Sequence, residues 1–552
     1  MEIFMKKRAK NRKMMLFLIL AAIIFLQAFM TAGIGREKKE FHIDEIYSYL
    51  LSNSYDTDSF ERADTMWNTW VSGSSFDEFV TVQRGEAFAF DKVYRNNSLD
   101  CHPPLFYWML HTICSFFPDS FSKWYGLGLN LFTFLVTGVF LYLSSRRLIR
   151  NDAAAFLPLI LYGFSQIAVD TALFIRMYGL LTCLAMIFIY LHIRMFQDGP
   201  ELRLIVAGGI VTFLGAMTHY YFLLLGAAGA AGFCIYLLMT QRPKKCFVYA
   251  AAELLAVALF VAVYPWVIRQ ITNPASNNVS REMMRTLLDI ALFRTMLKRL
   301  VTELCSVLFV KAAAGKIVLL ISAAAGAALL ILSLIRRKNR KEPVESPLPE
   351  LLWISWTAAF VVLLVSYIGG DYVYLRYIYY ICPMVYLLMA AAVCALGEKA
   401  GFGKITAAVL ISATLVNAVL WTGNVRAGNL RCSYLYGPEA AVTEDLASYS
   451  TLNCFVVSRR GSAVPTGNLT RLRNFNQVYM ADFQSLERSG EFSRELKENR
   501  NCMLYINTDT YWTDGYDPQS VIASLQKENP AADFLKCQDS SLGMYYLVMS
   551  RE

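Results

Sequence analysis

The sequence predicts an all-α polytopic membrane protein with a small soluble α/β domain at its C-terminal end. Three observations carry that reading. Of 552 residues, 56% are hydrophobic and only 17% charged, with a mean hydropathy of +0.39, which excludes an ordinary soluble protein. Apolar runs of bilayer-crossing length recur from Met14 to residue 421, punctuated by basic clusters. From Gly423 onward, short β-rich runs alternate with polar, helix-like stretches.

In chain order, the run Met14 to Gly33 is too long for a secretory signal and lacks its small-residue cleavage pattern, so it reads as a retained span. The basic segment Lys6 to Lys13 before it belongs in the cytoplasm. Residues 34–120 form a first extracytoplasmic loop of mixed polarity, rich in aromatics (Trp67, Trp70, Phe76, Phe79, Phe88, Phe90), a composition suited to an interface. Within it, Asp44 and Glu45 open a surface helix whose Ile46, Tyr49 and Leu50 share one face at i, i+3, i+4 spacing. His102-Pro103-Pro104 opens a second apolar segment, Leu105 to Phe117, too short to span and read as a surface or re-entrant helix. Further spans are expected at 121–145, 153–174, 177–195, 203–218, 220–240, 246–268, 312–335, 350–369, 376–396 and 403–421. With the first run, that makes about eleven.

Basic clusters test this assignment independently. Arg146-Arg147, Arg194 with Arg203, Arg242 to Lys245, Arg336 to Lys338, and Lys399 with Lys404 follow every second span. The N-terminus is therefore expected in the cytoplasm, and the 423–552 domain outside, beyond a transmembrane domain of 1–422. The same topology puts the Asp44 loop, His102, Arg176, His219 and the stretch Asp371 to Tyr377 on the outer face. The net charge of +9 then reports orientation and lipid headgroups, and no nucleic-acid partner is expected. Among the 12 cysteines, no zinc-type or redox CxxC spacing appears. Cys183, Cys234 and Cys394 lie in apolar runs and read as small hydrophobes; Cys432, Cys454, Cys502 and Cys537 lie in the polar C-terminal part, where a disulfide cannot be assigned.

The candidate chemistry lies in a few residues. A carboxylate at the lipid boundary, Asp44 or Glu45, could take a proton from a hydroxyl in water while a partner substrate stays in lipid. The alternative is that Asp44 is only the N-cap of its helix, with Glu45 in the first turn. Arg176 and Arg376, each at the outer end of an expected span, could fork two hydrogen bonds onto a phosphate at headgroup depth. The alternatives are snorkelling arginines and, for Tyr377 and its neighbours, an aromatic belt. His219, beside Tyr220 and Tyr221, could orient a phosphate or sugar hydroxyl, or hold a divalent cation with Asp44 or Glu45; it could also be a structural histidine in a tight turn. Similarly, His102-Pro103-Pro104 could simply be a stiff turn. Glu253 and Asp170 lie within expected spans, where a bare charge costs about 2.5–3.5 kcal/mol, so each is read as neutral or paired.

An Asp-Glu pair opening a surface helix after the first span, then Asp100 to Tyr107, Arg176-Met177-Tyr178, Thr218-His219-Tyr220 and Arg376-Tyr377, resembles the GT-C fold membrane glycosyltransferases. Over roughly the first 400 residues the chain is most similar to the prokaryotic protein O-mannosyltransferase and aminoarabinose transferase group. That resemblance implies transfer of a sugar from a polyprenyl-phosphate carrier to an acceptor (protein, lipid or wall polymer) outside the cytoplasmic membrane, with inversion. It implies Asp44 as base, with Glu45 beside it, and Arg376 on the lipid phosphate, with Arg176 and His219 as further phosphate-side members. His102, Tyr220 and Tyr377 would be on the substrate side. No cofactor is required by it beyond the lipid-linked donor, and a divalent cation stays open. Two other classes remain: a transporter or flippase for lipid-linked sugars, which should show internal repeats or broken helices meeting at the midplane, and a membrane-anchored binding protein, for which so many spans would be an extravagant anchor.

Overall fold

The computed structural model describes residues 2–39, 41–54, 66–272, 289–310, 312–340, 346–368, 374–428, 450–459, 463–483, 486, 491–499, 501–508, 517–536 and 543–550. The helices are, in chain order, α1 (Glu2–Arg36), α2 (Ile43–Asn53), α3 (Phe90–Leu99), α4 (Leu105–Ser115), α5 (Lys123–Leu148), α6 (Leu157–Gly163), α7 (Gln166–Leu173), α8 (Tyr178–Asp198), α9 (Leu202–Thr218), α10 (Tyr221–Met239), α11 (Pro243–Val263), α12 (Trp266–Thr272), α13 (Ile290–Val307), α14 (Ala312–Arg340), α15 (Leu348–Ile368), α16 (Cys382–Lys399), α17 (Gly403–Arg426), α18 (Ala463–Gly467), α19 (Leu469–Leu472), α20 (Glu491–Glu498) and α21 (Pro518–Glu528). The strands are β1 (Trp70–Ser72), β2 (Asn453–Ser458), β3 (Gln477–Asp482), β4 (Cys502–Ile506), β5 (Ala532–Lys536) and β6 (Met544–Ser550). The chain divides into two compact units, one of residues 1–35, 100–106 and 127–432, the other of 36–99, 107–126 and 433–552.

The first unit is helical and apolar, a multi-pass membrane body. Among the described residues, nine helices are long and apolar enough to cross a bilayer, ten if the pair formed by residues 154–163 and 166–173 is one span. The apolar helix α9 falls short at 17 residues and stands where a further span was expected. The bent pair turns through 55°, and the cause is local. The Ser165 hydroxyl donates to the Tyr162 carbonyl at 2.6 Å and accepts from the Ala168 amide at 3.3 Å, capping α7 as a new helix. Gly163 also lets α1 approach closely, because a Cβ there would overlap the Gln27 side chain, whose amide donates to the Leu159 carbonyl at 3.1 Å. A second break separates α11 from α12 at Tyr264-Pro265, since proline disfavours helical geometry in the residue before it. Mid-span, Glu253 Oε2 accepts the Thr212 hydroxyl at 2.7 Å.

The second unit is built on a six-stranded sheet of order β1-β3-β2-β4-β6-β5. Strand β2 lies parallel to β3 and β4, with Phe455 opposite Tyr479 on one side and Leu504 on the other, while β1, β6 and β5 pair antiparallel. Strands β2 to β6 lie after Gly423, where short β-rich runs were expected; β1 comes from the first loop and caps the sheet edge. Trp70 of β1 packs edge-on to Phe455, with ring centroids 4.9 Å apart, and donates its indole N–H to Glu495 at 2.7 Å. Cys454 and Cys502 are buried; Cys432 and Cys537 lie outside the described residues, as do Asp371 and Tyr372. In α2, Ile46, Tyr49 and Leu50 are buried as their spacing predicts.

Candidate active site

The membrane unit gathers six of the residues expected in a site. The Asp100 carboxylate lies 2.7 Å from His102 Nδ1, and His102 Nε2 lies 3.3 Å from the Arg176 guanidinium. An arginine can only donate, so Nε2 accepts, the proton sits on Nδ1, and the chain runs from Asp100 through His102 to Arg176. Burial pushes the Asp100 carboxyl up, but His102, with Arg176 beyond it, holds it below the usual carboxylate range. The helix break at Tyr264-Pro265 secures the backbone of this turn. The Tyr264 hydroxyl donates to the His102 carbonyl at 3.3 Å, and the Gln270 amide donates to the Asp100 carbonyl at 2.5 Å and to the Tyr264 hydroxyl at 3.1 Å. Tyr220 donates in turn to the Gln270 side-chain oxygen.

His219 follows α9 in extended backbone, its Nδ1 accepting the Tyr221 amide at 3.1 Å. Its buried ring lies 5.8 Å from the His102 ring, 5.7 Å from Tyr178 and 4.7 Å from Tyr221. Burial, reinforced by His102 and Arg176, holds its pKa well below the ordinary histidine value. With Nδ1 used as acceptor, the neutral ring presents Nε2–H as a donor. This predicts a pH dependence. Below the unfolded pKa of about 6.5 the unfolded chain binds a proton that folded His219 does not, so stability falls with acidity by about 1.4 kcal/mol per pH unit for that one site. Thermal unfolding between pH 7 and 5 should therefore be flatter in His219→Asn, which keeps an acceptor for the Tyr221 amide; an unchanged slope would contradict the neutral assignment.

Arg376 opens the turn Leu375–Ile381, with its guanidinium carbon 4.7 Å from the Tyr374 ring centroid and 5.6 Å from those of Phe174 and Tyr377. Such a cage orients the plane of the cation by cation–π attraction. Tyr377 lies 6.4 Å from Tyr178 and 5.3 Å from Tyr221, so one set of rings links Arg376 to His219. Asp100 and Tyr178 were named from sequence only as members of motifs, with no role of their own, and Tyr264 and Gln270 were not singled out. The signals were a carboxylate two residues before His102 and a proline interrupting an apolar run.

Asp44 and Glu45 belong to the other unit. The N-cap of α2 is His42: its Nδ1 accepts the Asp44 amide at 3.1 Å, and Glu45 Oε2 closes a capping box on the His42 amide at 2.7 Å. The capping alternative for Asp44 therefore lapses. Glu45 Oε2 also forms an ion pair with Lys38 at 2.9 Å, both side chains fully buried, whereas the Asp44 side chain keeps 26% of its surface exposed. The two carboxylates thus differ: one is locked into the start of the helix, the other is partly exposed. As for a metal, the described residues in which three ligand atoms converge are Asp100, Cys101 and His102, all within 4.8 Å. A borderline cation suits that donor set.

Residues 101–268 match the family described as dolichyl-phosphate-mannose-protein mannosyltransferase. This segment of the chain is similar to the protein mannosyltransferases. It contains His102, Arg176, His219 and Tyr220, and the mannosyltransferase match supports a membrane glycosyltransferase of GT-C type. Nothing among curated proteins matches. Among solved structures, the ArnT of Cupriavidus metallidurans bound to undecaprenyl phosphate is 12% identical over 96% of this chain and 97% of that one, with a TM-score of 0.48. The Archaeoglobus fulgidus oligosaccharyltransferase with Zn and sulfate is 11% identical over 96% and 73%, also at 0.48.

Proposed function

We propose that this protein transfers a sugar from a polyprenyl-phosphate carrier to an acceptor hydroxyl at the outer face of the cytoplasmic membrane. One observation carries the proposal: Arg176, held by Asp100–His102, and Arg376, caged by three aromatic rings, are linked through His102, Tyr178, Tyr221 and Tyr377 to a buried neutral histidine in the membrane unit. Cations preorganised in this way suit a departing phosphate, because they need no reorganisation as charge develops on the leaving oxygen. Arg376 takes the phosphate with two N–H groups, Arg176 is the second cation, and His219 Nε2–H donates to phosphate or sugar. His102 acts by holding Arg176, and Tyr220 and Tyr377 border the sugar. Asp44 takes the proton of the acceptor hydroxyl as its oxygen bonds to the anomeric carbon. The carbon–oxygen bond to phosphate breaks, polyprenyl phosphate leaves, and this single displacement inverts the anomeric configuration. The alternation of basic clusters supports a cytoplasmic N-terminus, with Asp44 and residues 423–552 outside. If Asp100, Cys101 and His102 held a cation, it would supply Lewis-acid charge beside Arg176. The test is binding: purified protein should bind polyprenyl phosphate, and Arg376→Lys should bind it more weakly. Equal binding by both proteins would remove Arg376 from the site.

A further inference from the structure

Within the second unit, the C-terminal region grips the helix that carries Asp44. Helix α18 leaves the end of β2 and packs on α2 where the glycine at its close leaves room: a Cβ on Gly467 would lie 3.1 Å from Ile43 Cγ1 and 3.3 Å from Ile43 Cβ. Any side chain there must push Ile43, the first residue of α2 and the neighbour of Asp44. The following helix, α19, packs on the turn Gly73–Phe79, where a Cβ on Gly73 would overlap the Phe475 carbonyl oxygen. Arg473 then closes the contact on Asp77 at 2.6 Å. On its other side α2 is tied by Tyr49, whose hydroxyl donates to the Ser122 carbonyl at 2.8 Å and accepts the Gly126 amide at 3.1 Å.

We propose that residues 463–475 form a clasp that sets the position of Asp44, with Gly467 and Ile43 as positioning residues. The inference rests on Asp44 being the base. A helix moves as a rigid body, so displacement at Ile43 carries Asp44 with it, and a misplacement of about 1 Å can cost about 100-fold in rate. The C-terminal region thereby takes part in the chemistry without touching the donor.

The test uses the full-length protein. Ile43→Cys with Gly467→Cys places two Cβ atoms close to the 3.5–4.5 Å span of a disulfide. The link should form on oxidation, be visible as a 43–467 cross-linked peptide, and leave turnover within about twofold. Gly467→Leu should lower kcat about tenfold or more with the donor KM unchanged, and adding Ile43→Ala should restore most of it. Failure to cross-link, turnover lost on oxidation and regained on reduction, or a Gly467→Leu defect that Ile43→Ala does not relieve would each overturn the clasp. Asp44→Asn is assayed alongside: if it keeps wild-type turnover the base assignment fails, a result distinct from those of the cross-link.

Discussion

Asp44→Asn is expected to lose turnover by about 10²–10⁴-fold, the contribution of a positioned general base, while the protein folds and binds donor as before. The structure makes this substitution cleaner than the sequence suggested. His42, not Asp44, caps α2, so asparagine at position 44 leaves the capping box intact; it gives up a helix-dipole interaction of about 0.3–1 kcal/mol and the carboxylate's 3.6 Å approach to His42 Nδ1. Glu45→Gln should behave in the opposite way. It strips the counter-charge from a fully buried Lys38, and breaking a buried pair costs about 3–5 kcal/mol, so the loss should appear as a lower Tm and less folded protein, with kcat per folded molecule retained. Measuring kcat and thermal unfolding on the two variants separates the roles. Wild-type turnover in Asp44→Asn, or a catalytic collapse of stably folded Glu45→Gln, would reverse the assignment.

Arg376→Lys is the second large effect. Lysine keeps the charge but neither stacks on Tyr374, Phe174 and Tyr377 as the guanidinium does nor forks onto a phosphate. One lost hydrogen bond to a charged group is worth about 1.5–3 kcal/mol, so polyprenyl phosphate affinity should fall about 10–100-fold. Because the cage consists of ring faces, Tyr377→Phe should keep most of the affinity, whereas Tyr377→Ala should not. Titration of purified variants with polyprenyl phosphate reads both, and an Arg376→Lys protein with wild-type affinity would refute phosphate binding at this residue.

The spans were legible because hydropathy is a one-dimensional signal, and so was the buried face of α2, because Ile46, Tyr49 and Leu50 recur at helical spacing. What escaped depends on contacts distant in sequence. Strand β1 is three residues long and finds its partner β3 about 400 residues later, which no local pattern announces. The cap of α2 was offered only as an alternative role for Asp44, because aspartate is a far commoner N-cap than histidine; the capping box with Glu45 was visible only once His42 was seen to accept the Asp44 amide. Nothing local marks Lys38 for burial, which follows from its pairing with Glu45 seven residues away. In the site, His102, Arg176, His219 and Arg376 stood out because charged groups at the ends of apolar runs are conspicuous. Asp100 and Gln270 act through the fold, Gln270 reaching the Asp100 carbonyl across 170 residues.

The central claim is that the protein spends a lipid-linked sugar on an acceptor, and one comparison tests it most directly: mass spectrometry of cell-envelope glycans and of polyprenyl-phosphate sugars in membranes of a strain lacking the protein, complemented with wild type or Asp44→Asn. The deletion is expected to lose one glycan and accumulate one lipid-linked sugar, and wild type but not Asp44→Asn is expected to reverse both. Unchanged glycans and lipid-linked sugars, with a transported solute altered in their place, would contradict it.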